Sequence, residues 1–391
     1  MASVAAWVLG LVGCAGGDSG RQTGGDTGGD DISSEEVTND TIDPSTFSSS
    51  LATETASSGP SDTSAETTAG SSSDPSGPST GSVDGPTVVM VTPADETTGV
   101  DPDATITVTF SEAMDPASIT ADDGACRGVV QLSADDFASC APLSASVDPE
   151  DGDTTFTLAP AAGLESASTY RVRVTASATA ADGAPLGAEF TSDGFTSRYF
   201  HTIEVDGVDD WNGDEGLATS TDGHVAHIAW DDSYVYVGMR SPDVAIANGS
   251  VWVVFYFGGD GGSTEGVLAN TQQPGLPFDA RWHLRWRADN ILTEVLEYGG
   301  AGWMTGGWEI GLGDVYRQGE LLELRIARSD LADPDILEFH AGIQRDAMLD
   351  EASWAASPEG SYVDGYNPDY DQFWSFDLLG SDSPAQHVPQ P

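Results

Sequence analysis

Three groups of side chains in this chain have the types and spacing to do chemistry. Asp210, Asn212 and Asp214 alternate ahead of Gly216 and offer oxygen ligands at a spacing that suits a hard cation such as calcium. An EF-hand loop would place glycine one position earlier and a glutamate at its twelfth position; both are missing, which leaves a solvated acidic turn as the alternative. Asp364, Asn367, Asp369 and Asp371 form a second oxygen-rich cluster. The run ARWHLRWRA, residues 280–288, would as a strand set Trp282, Leu284 and Trp286 on one face and Arg281, His283, Arg285 and Arg287 on the other. Indole rings stack on sugars and guanidinium groups bond hydroxyls and carboxylates, so Trp282, Trp286 and Arg285 are candidate saccharide ligands. The alternative is that both tryptophans are core and the arginines pair with surplus acid. Tyr234 and Tyr236, on the outward face of the strand Ser233 to Arg240, are candidates of the same kind.

The third group is His224, His227 and Met239 as axial haem ligands. Two histidines three apart in a strand point to opposite faces, and Met239 faces the core, which argues against haem. No G-x-S-x-G, HExxH, P-loop or GxGxxG stands in a strand–helix context, and the expectation is a protein that is not an enzyme. Gly17-Asp18-Ser19-Gly20 resembles a protease nucleophile motif but sits in a low-complexity stretch, where it is chance.

The elements that position these residues read as strands. Val235, Val237 and Met239 alternate with Tyr234, Tyr236 and Arg240, and Asp231-Asp232-Ser233 is turn chemistry after Ile228 and Trp230, so a hairpin is predicted. Val251 to Phe257 is apolar on both faces, as a strand covered on two sides would be. Leu322, Leu324 and Ile326, then Leu337, Phe339, Ala341 and Ile343, form core rows, with a short turn or helical step at Arg328-Ser329-Asp330-Leu331 between them. Glu323, Arg325, Glu338 and His340 stand opposite. Nine of the ten tryptophans lie in this C-terminal part.

The chain has 391 residues and a formal net charge of −51, and all its basic side chains are arginine. That field repels nucleic acid and anionic headgroups and leaves cations and neutral ligands as partners. The N-terminus, MASVAAWVLGLVGC, has an apolar run too short to span a bilayer as a helix but suited to a secretory leader. Leu11-Val12-Gly13-Cys14 resembles the lipobox of bacterial lipoproteins, which implies lipidation at Cys14 and a membrane anchor in the bacterial envelope, at the outer membrane or cell surface. The family pattern also includes an early Lys or Arg, and the first basic residue here is Arg21. From residue 14 to 86 the composition is Gly, Ser, Thr, Asp and Pro, which cannot bury enough apolar surface to order and is expected to be a disordered tether. An exported chain meets an oxidising compartment, so Cys126 and Cys140 are expected to form a structural disulfide.

Order is expected from residue 87. Val88 to Val91, then Thr92-Pro93-Ala94-Asp95, then Ile106-Thr107-Val108-Thr109-Phe110-Ser111-Glu112 with Met114-Asp115-Pro116, resemble the bacterial Ig-like domains of surface proteins. The likeness extends over residues 87–197, where Tyr170, Val172 and Val174 share a buried face. Residues 199–379 resemble the family 9 carbohydrate-binding modules and related DOMON-like sandwiches. The resemblance rests on Val205-Asp206-Gly207, Asp210-Trp211, Ala229-Trp230-Asp231-Asp232, Ile326 to Leu331 and Phe373 to Leu378. It implies a sandwich that binds sugars or serves as an accessory module, with calcium as the one implied cofactor. The fold class is therefore all-β: two antiparallel sandwiches after a leader (1–13) and a linker (14–86), with a disordered tail (380–391). The function expected is non-catalytic binding of carbohydrate or another envelope component, the alternative being a structural or adhesive surface protein that meets a protein partner.

Overall fold

A computed structural model describes residues 85–144, 148–268 and 272–391. Cys14, the leader and the tether up to residue 84 lie outside the described residues. In the first sandwich β1 (Val88–Thr92), β2 (Ile106–Phe110), β4 (Asp148–Glu150) and β5 (Thr155–Leu158) form one sheet in the order β1-β2-β5-β4. The facing sheet holds β3 (Val130–Ser133), β6 (Thr169–Val174) and β7 (Phe190–Thr191), with β8 (Phe195–Thr196) also on β6. The cause is period-two alternation. Ile106, Val108 and Phe110 of β2 point inward to meet Phe156, Leu158, Tyr170, Val172 and Val174. Thr107 and Thr109 point outward, where their hydroxyls contact Thr157 and Thr155 across the strand pair.

Cys126 and Cys140 form the expected disulfide and close a loop 14 residues apart. The loop is also held from within by buried Asp122, which accepts from the N–H groups of Gly124, Cys126 and Gly128. Burial works against its charge, but the backbone donors, Gly128 first, hold its carboxyl below the usual range.

The second sandwich contains a smaller sheet of β9 (Gly216–Ala218), β10 (Val225–Trp230), β11 (Tyr234–Arg240), β16 (Val315–Gln318) and β17 (Leu321–Ala327), in the order β16-β17-β11-β10-β9. The larger sheet runs β15 (Trp303–Thr305), β14 (Thr293–Tyr298), β13 (Gly275–Arg287), β12 (Val251–Glu265), β18 (Ile336–Arg345), β19 (Ala352–Ser357). A last strand, β20 (Trp374–Asp377), shares the far edge of β18 with β19. The predicted hairpin is β10–β11, with Trp230 opposite Val235. Between the sheets, Ile228, Trp230, Val235, Val237, Met239, Leu322, Leu324 and Ile326 meet Val253, Phe255, Phe257, Leu284, Trp286, Phe339 and Ile343.

The outward faces are covered as well. On the larger sheet, Trp252, Val254, Tyr256, Leu276, Phe278, Ala356 and Tyr370 make a second core. His283, Tyr256 and His340 stand side by side across three strands within it. Tyr256 stacks on His283 at 4.3 Å, and the Tyr370 ring lies 4.0 Å from His340. Ser361 donates to the Gln372 carbonyl at 2.8 Å, so His340 donates its Nε2 proton to Ser361 at 3.0 Å.

Residues 380–391, expected to be a disordered tail, are instead folded back. A capped turn spans Pro384–Gln386, Gln390 exchanges backbone bonds with Phe373, and His387 packs on Phe376. The two sandwiches fall in one compact unit. They are joined where Tyr199 N bonds Gly380 O at 2.8 Å, Gly99 N bonds Ser381 Oγ at 2.8 Å and Arg198 bridges Asp101 and Asp232. Gly99 has φ +68°, and a Cβ there would meet the Leu379 carbonyl oxygen at 2.6 Å.

Two outcomes follow from this packing. Replacing Cys126 and Cys140 by serine is expected to lower the unfolding free energy of the first sandwich by about 3 kcal/mol in a denaturant titration; no change would mean that the Asp122 contacts already restrain the loop. Burial lowers His340 to about 3 and His227 to about 4, and holds His283 well below its ordinary 6.5. The folded state keeps them neutral while an unfolded chain takes up protons, so their contribution is intact above pH 6.5 and is lost as pH falls toward 4. The loss is up to about 1.4 kcal/mol per pH unit for each. Thermal melts between pH 7 and 4.5 should show the decline, and His340→Gln should flatten it; a melting temperature constant over that range would contradict the assignment.

Candidate ligand-binding cleft

The residues singled out in the sequence keep their predicted facing, but what lies over them differs. Trp286 is fully buried and donates its indole N–H to Asn290 Oδ1 at 2.9 Å. Arg285 lies against the Trp252 ring and pairs with Glu294 at 2.8 Å. Tyr236 is 1% exposed, its hydroxyl on Asp231 Oδ2 at 2.7 Å. Trp286 is shut in the core between the sheets, while Tyr236 and most of the Arg285 side chain are covered on outward faces, which corrects the expectation that the outward faces are solvent faces. Tyr234 is half-buried under the Arg325 guanidinium, in a small recess with Trp308 and Asp314.

The cover over Tyr236 is the segment expected to bind calcium. Ile203, Val205 and Trp211 lie across the smaller sheet's outward face. Gly207 donates its N–H to fully buried Glu323 at 2.8 Å, and Trp211 lies over Gly238, where a Cβ would meet its ring at 3.1 Å. Asp210 Oδ2 accepts from Glu204 N at 2.9 Å. The Asn212 backbone and amide both donate to Glu215, a fully buried carboxylate that also takes Tyr199 Oη at 2.6 Å and His201 Nδ1 at 2.7 Å. Asp214 is exposed, and its carbonyl accepts from Ala385 N. Asp210 and Asn212 thus spend these contacts on the fold. Among the described residues no group of three or more His, Cys, Asp or Glu side chains could hold a metal ion. The second acidic cluster is likewise spread over loop contacts: Asp364 takes the hydroxyls of Ser220 and Thr221, and Asn367 accepts from Gln273 N.

A cleft of about 560 Å³ opens where β12, β13 and β18 approach the joint with the first sandwich. Its floor comes from a glycine run, Gly258-Gly259-Asp260-Gly261-Gly262, at which the β12–β13 register slips. The glycines are there because other groups fill the space. A Cβ at Gly258 would meet Glu338 Oε2 at 2.4 Å, and one at Gly259 would meet the Trp282 ring at 2.7 Å. Trp282 is therefore the one expected ligand residue, of five, that lines this cleft, and it is 7% exposed there. Arg281 is locked by Glu297 at 3.0 Å and by the Asp260 carbonyl. Asp260, Asp279, Asp335 and Glu338 supply acceptors. Burial first and Asp279 second push the Glu338 carboxyl above its ordinary range. The cleft can accept hydrogen bonds from hydroxyls or amines beside an aromatic edge, and its charge disfavours anions. Glu338, Asp279 and the glycines were missed in the sequence, although glycine inside a strand pattern signals a bulge.

Comparison with known proteins bears on the first sandwich. No curated protein matches the chain. Among solved structures, the N-terminal part of the bacterial S-layer protein SbsC is 15% identical with a TM-score of 0.22, over 51% of this chain and 40% of that one. The S-layer protein rSbsC(31-844) and domains 1–6 of surface layer protein SbsC are each 12% identical with a TM-score of 0.22, over 66% of this chain and 39% of theirs. The chain spans about two fifths of these structures, and overlaps this loose carry no argument about fold or function. Residues 82–202 match the family model of the bacterial Ig-like domain, so this part of the chain is a bacterial Ig-like domain.

Proposed function

We propose that the chain is a non-catalytic cell-envelope protein, anchored by lipid at Cys14, whose Ig-like domain carries a second sandwich that binds carbohydrate in the cleft beside Trp282. The observation that carries this reading is the cleft itself: an aromatic edge, a locked arginine and four carboxylates around a glycine-lined floor. Hydroxyl groups of a sugar would donate to Asp279 and Glu338, and a pyranose ring would lie against the Trp282 edge. The surplus of carboxylates favours neutral or amino sugars over uronic acids and phosphorylated glycans. The Ig-like domain supports the reading as a platform, and the leader and tether would place it at the envelope.

The test is a glycan array with the full chain. Neutral or amino-sugar glycans are expected to bind, and Glu338→Gln or Asp279→Asn to weaken them about tenfold, roughly 1.4 kcal/mol, with melting unchanged. Absence of binding to any glycan by folded protein, or equal affinity in both variants, would remove the carbohydrate reading. Labelled palmitate should enter the exported wild type and be absent from Cys14→Ala; unlabelled wild type would remove the anchor.

A further inference from the structure

We infer that the rim of the larger sheet remote from the Ig-like domain docks a partner protein whose surface offers an apolar recess edged with basic side chains. Five side chains there are turned out to solvent: Ile246, Ile291, Met348, Leu349 and Val363, at 60%, 77%, 86%, 94% and 88% exposure. Strand register places the first four together, with Val363 just below them, because Gly365 runs antiparallel to Ser353 and Asp364 reaches Ser220 and Thr221 beside Ala355 and Ala356. Arg287, Trp252, Gln344, Ser353 and Gly365 form one row of paired residues across five chain segments. Ile291 lies in the turn after Arg287, Ile246 in the segment leading into Trp252, Met348 and Leu349 in the turn after Gln344, and Val363 two residues before Gly365. With about 4.8 Å between neighbouring strands, the row spans roughly 20 Å.

A lone exposed leucine needs no account, but apolar tips on successive connections along one rim do. Leu349 is also held at φ +71°, a conformation that branched side chains seldom adopt, so the turn itself holds this residue at its crest. The rim is the reachable end of the domain. The Ile336 end of β18 lies at the joint, where Leu378 N bonds Asp335 O, and ten residues of strand put Arg345 about 30 Å away.

Charge selects the occupant. The cations of this rim are consumed locally, Arg287 by Asp289 at 2.9 Å and Arg345 by Asp350 at 3.0 Å. Asp350 remains largely exposed and Glu351 follows it. In a chain of net charge −51, such a rim repels an anionic bilayer and repels its own copy. It complements a protein surface that offers an apolar recess for Met348 and Leu349 and Arg or Lys around it. The rim shares no residue with the sugar cleft, and the two readings stand or fall separately.

The test uses the full chain and a fluorescent amphipathic peptide of leucine and lysine as the probe, read by anisotropy at about 0.15 M salt. The double substitution Met348→Ser with Leu349→Ser is expected to weaken the probe about tenfold, Ile291→Ser to weaken it in the same direction, and Glu338→Gln in the cleft to leave it unchanged. Undiminished binding by the double variant would reduce the effect to charge alone and overturn the proposal. So would binding to phosphatidylcholine vesicles abolished by the same substitutions, which would assign the rim to a lipid surface. A dimer in sedimentation that dissolves in the double variant would assign it to a second copy and overturn it equally.

Discussion

A strand that is apolar on both faces must be covered on both faces, and in the second sandwich that strand is β12. Its first half, Val251 to Phe257, is buried without interruption. Val253, Phe255 and Phe257 face the core between the sheets, while Trp252, Val254 and Tyr256 face a second core on the far side. Water cannot be left on either face without losing roughly 25 cal/mol for each Å² of apolar surface. The chain therefore lays Tyr362, Tyr370 and Phe373 over the larger sheet's outward face. His283 and His340, on the strands flanking Tyr256, are sealed in with it as neutral rings.

The same strand sets where the surfaces available to other molecules lie. At one end of β12 the glycine run breaks the ladder and opens the cleft, with Glu338 and Trp282 moving into the space the missing side chains leave. At the other end the connections between strands are short and carry exposed apolar tips. The smaller sheet is closed over by a different device. Gly207, Trp211 and Glu323 clasp the entering segment across its outward face, and Gly238 is the position that leaves room for the indole.

Much of this was legible in the sequence. Alternation gave the hairpin at Asp231-Asp232-Ser233, the core rows of β17 and β18 and both faces of β12, because side-chain direction in a strand is fixed by the backbone. The disulfide followed from the expectation of export and the count of cysteines. What alternation cannot say is whether an outward face is wet. Tyr236, Trp286, Arg285, Glu323 and His340 were assigned the correct side, yet all but Trp286 lie on faces that remote segments cover, and cover of that kind has no local signature. The Asp210, Asn212, Asp214 spacing meets the same limit. In a chain this acidic, oxygen ligands at alternate positions are common, and here Asp210 and Asn212 serve backbone groups and the buried Glu215 carboxylate instead. The tail was misjudged from composition, which does not register that His387 has Phe376 to rest on.

The joint between the sandwiches has a mechanical meaning. The second sandwich begins at Tyr199 and returns at Gly380, and these two points are tied to each other and, through Gly99, Arg198 and Ser381, to the Ig-like domain. Both ends of the module are thus fastened at one base. A pull applied at the far rim and resisted at that base runs along β18 and its neighbours. The ladder bonds on both sides of β18 then bear the load together in shear, and the pull has no free strand end to peel away from the base.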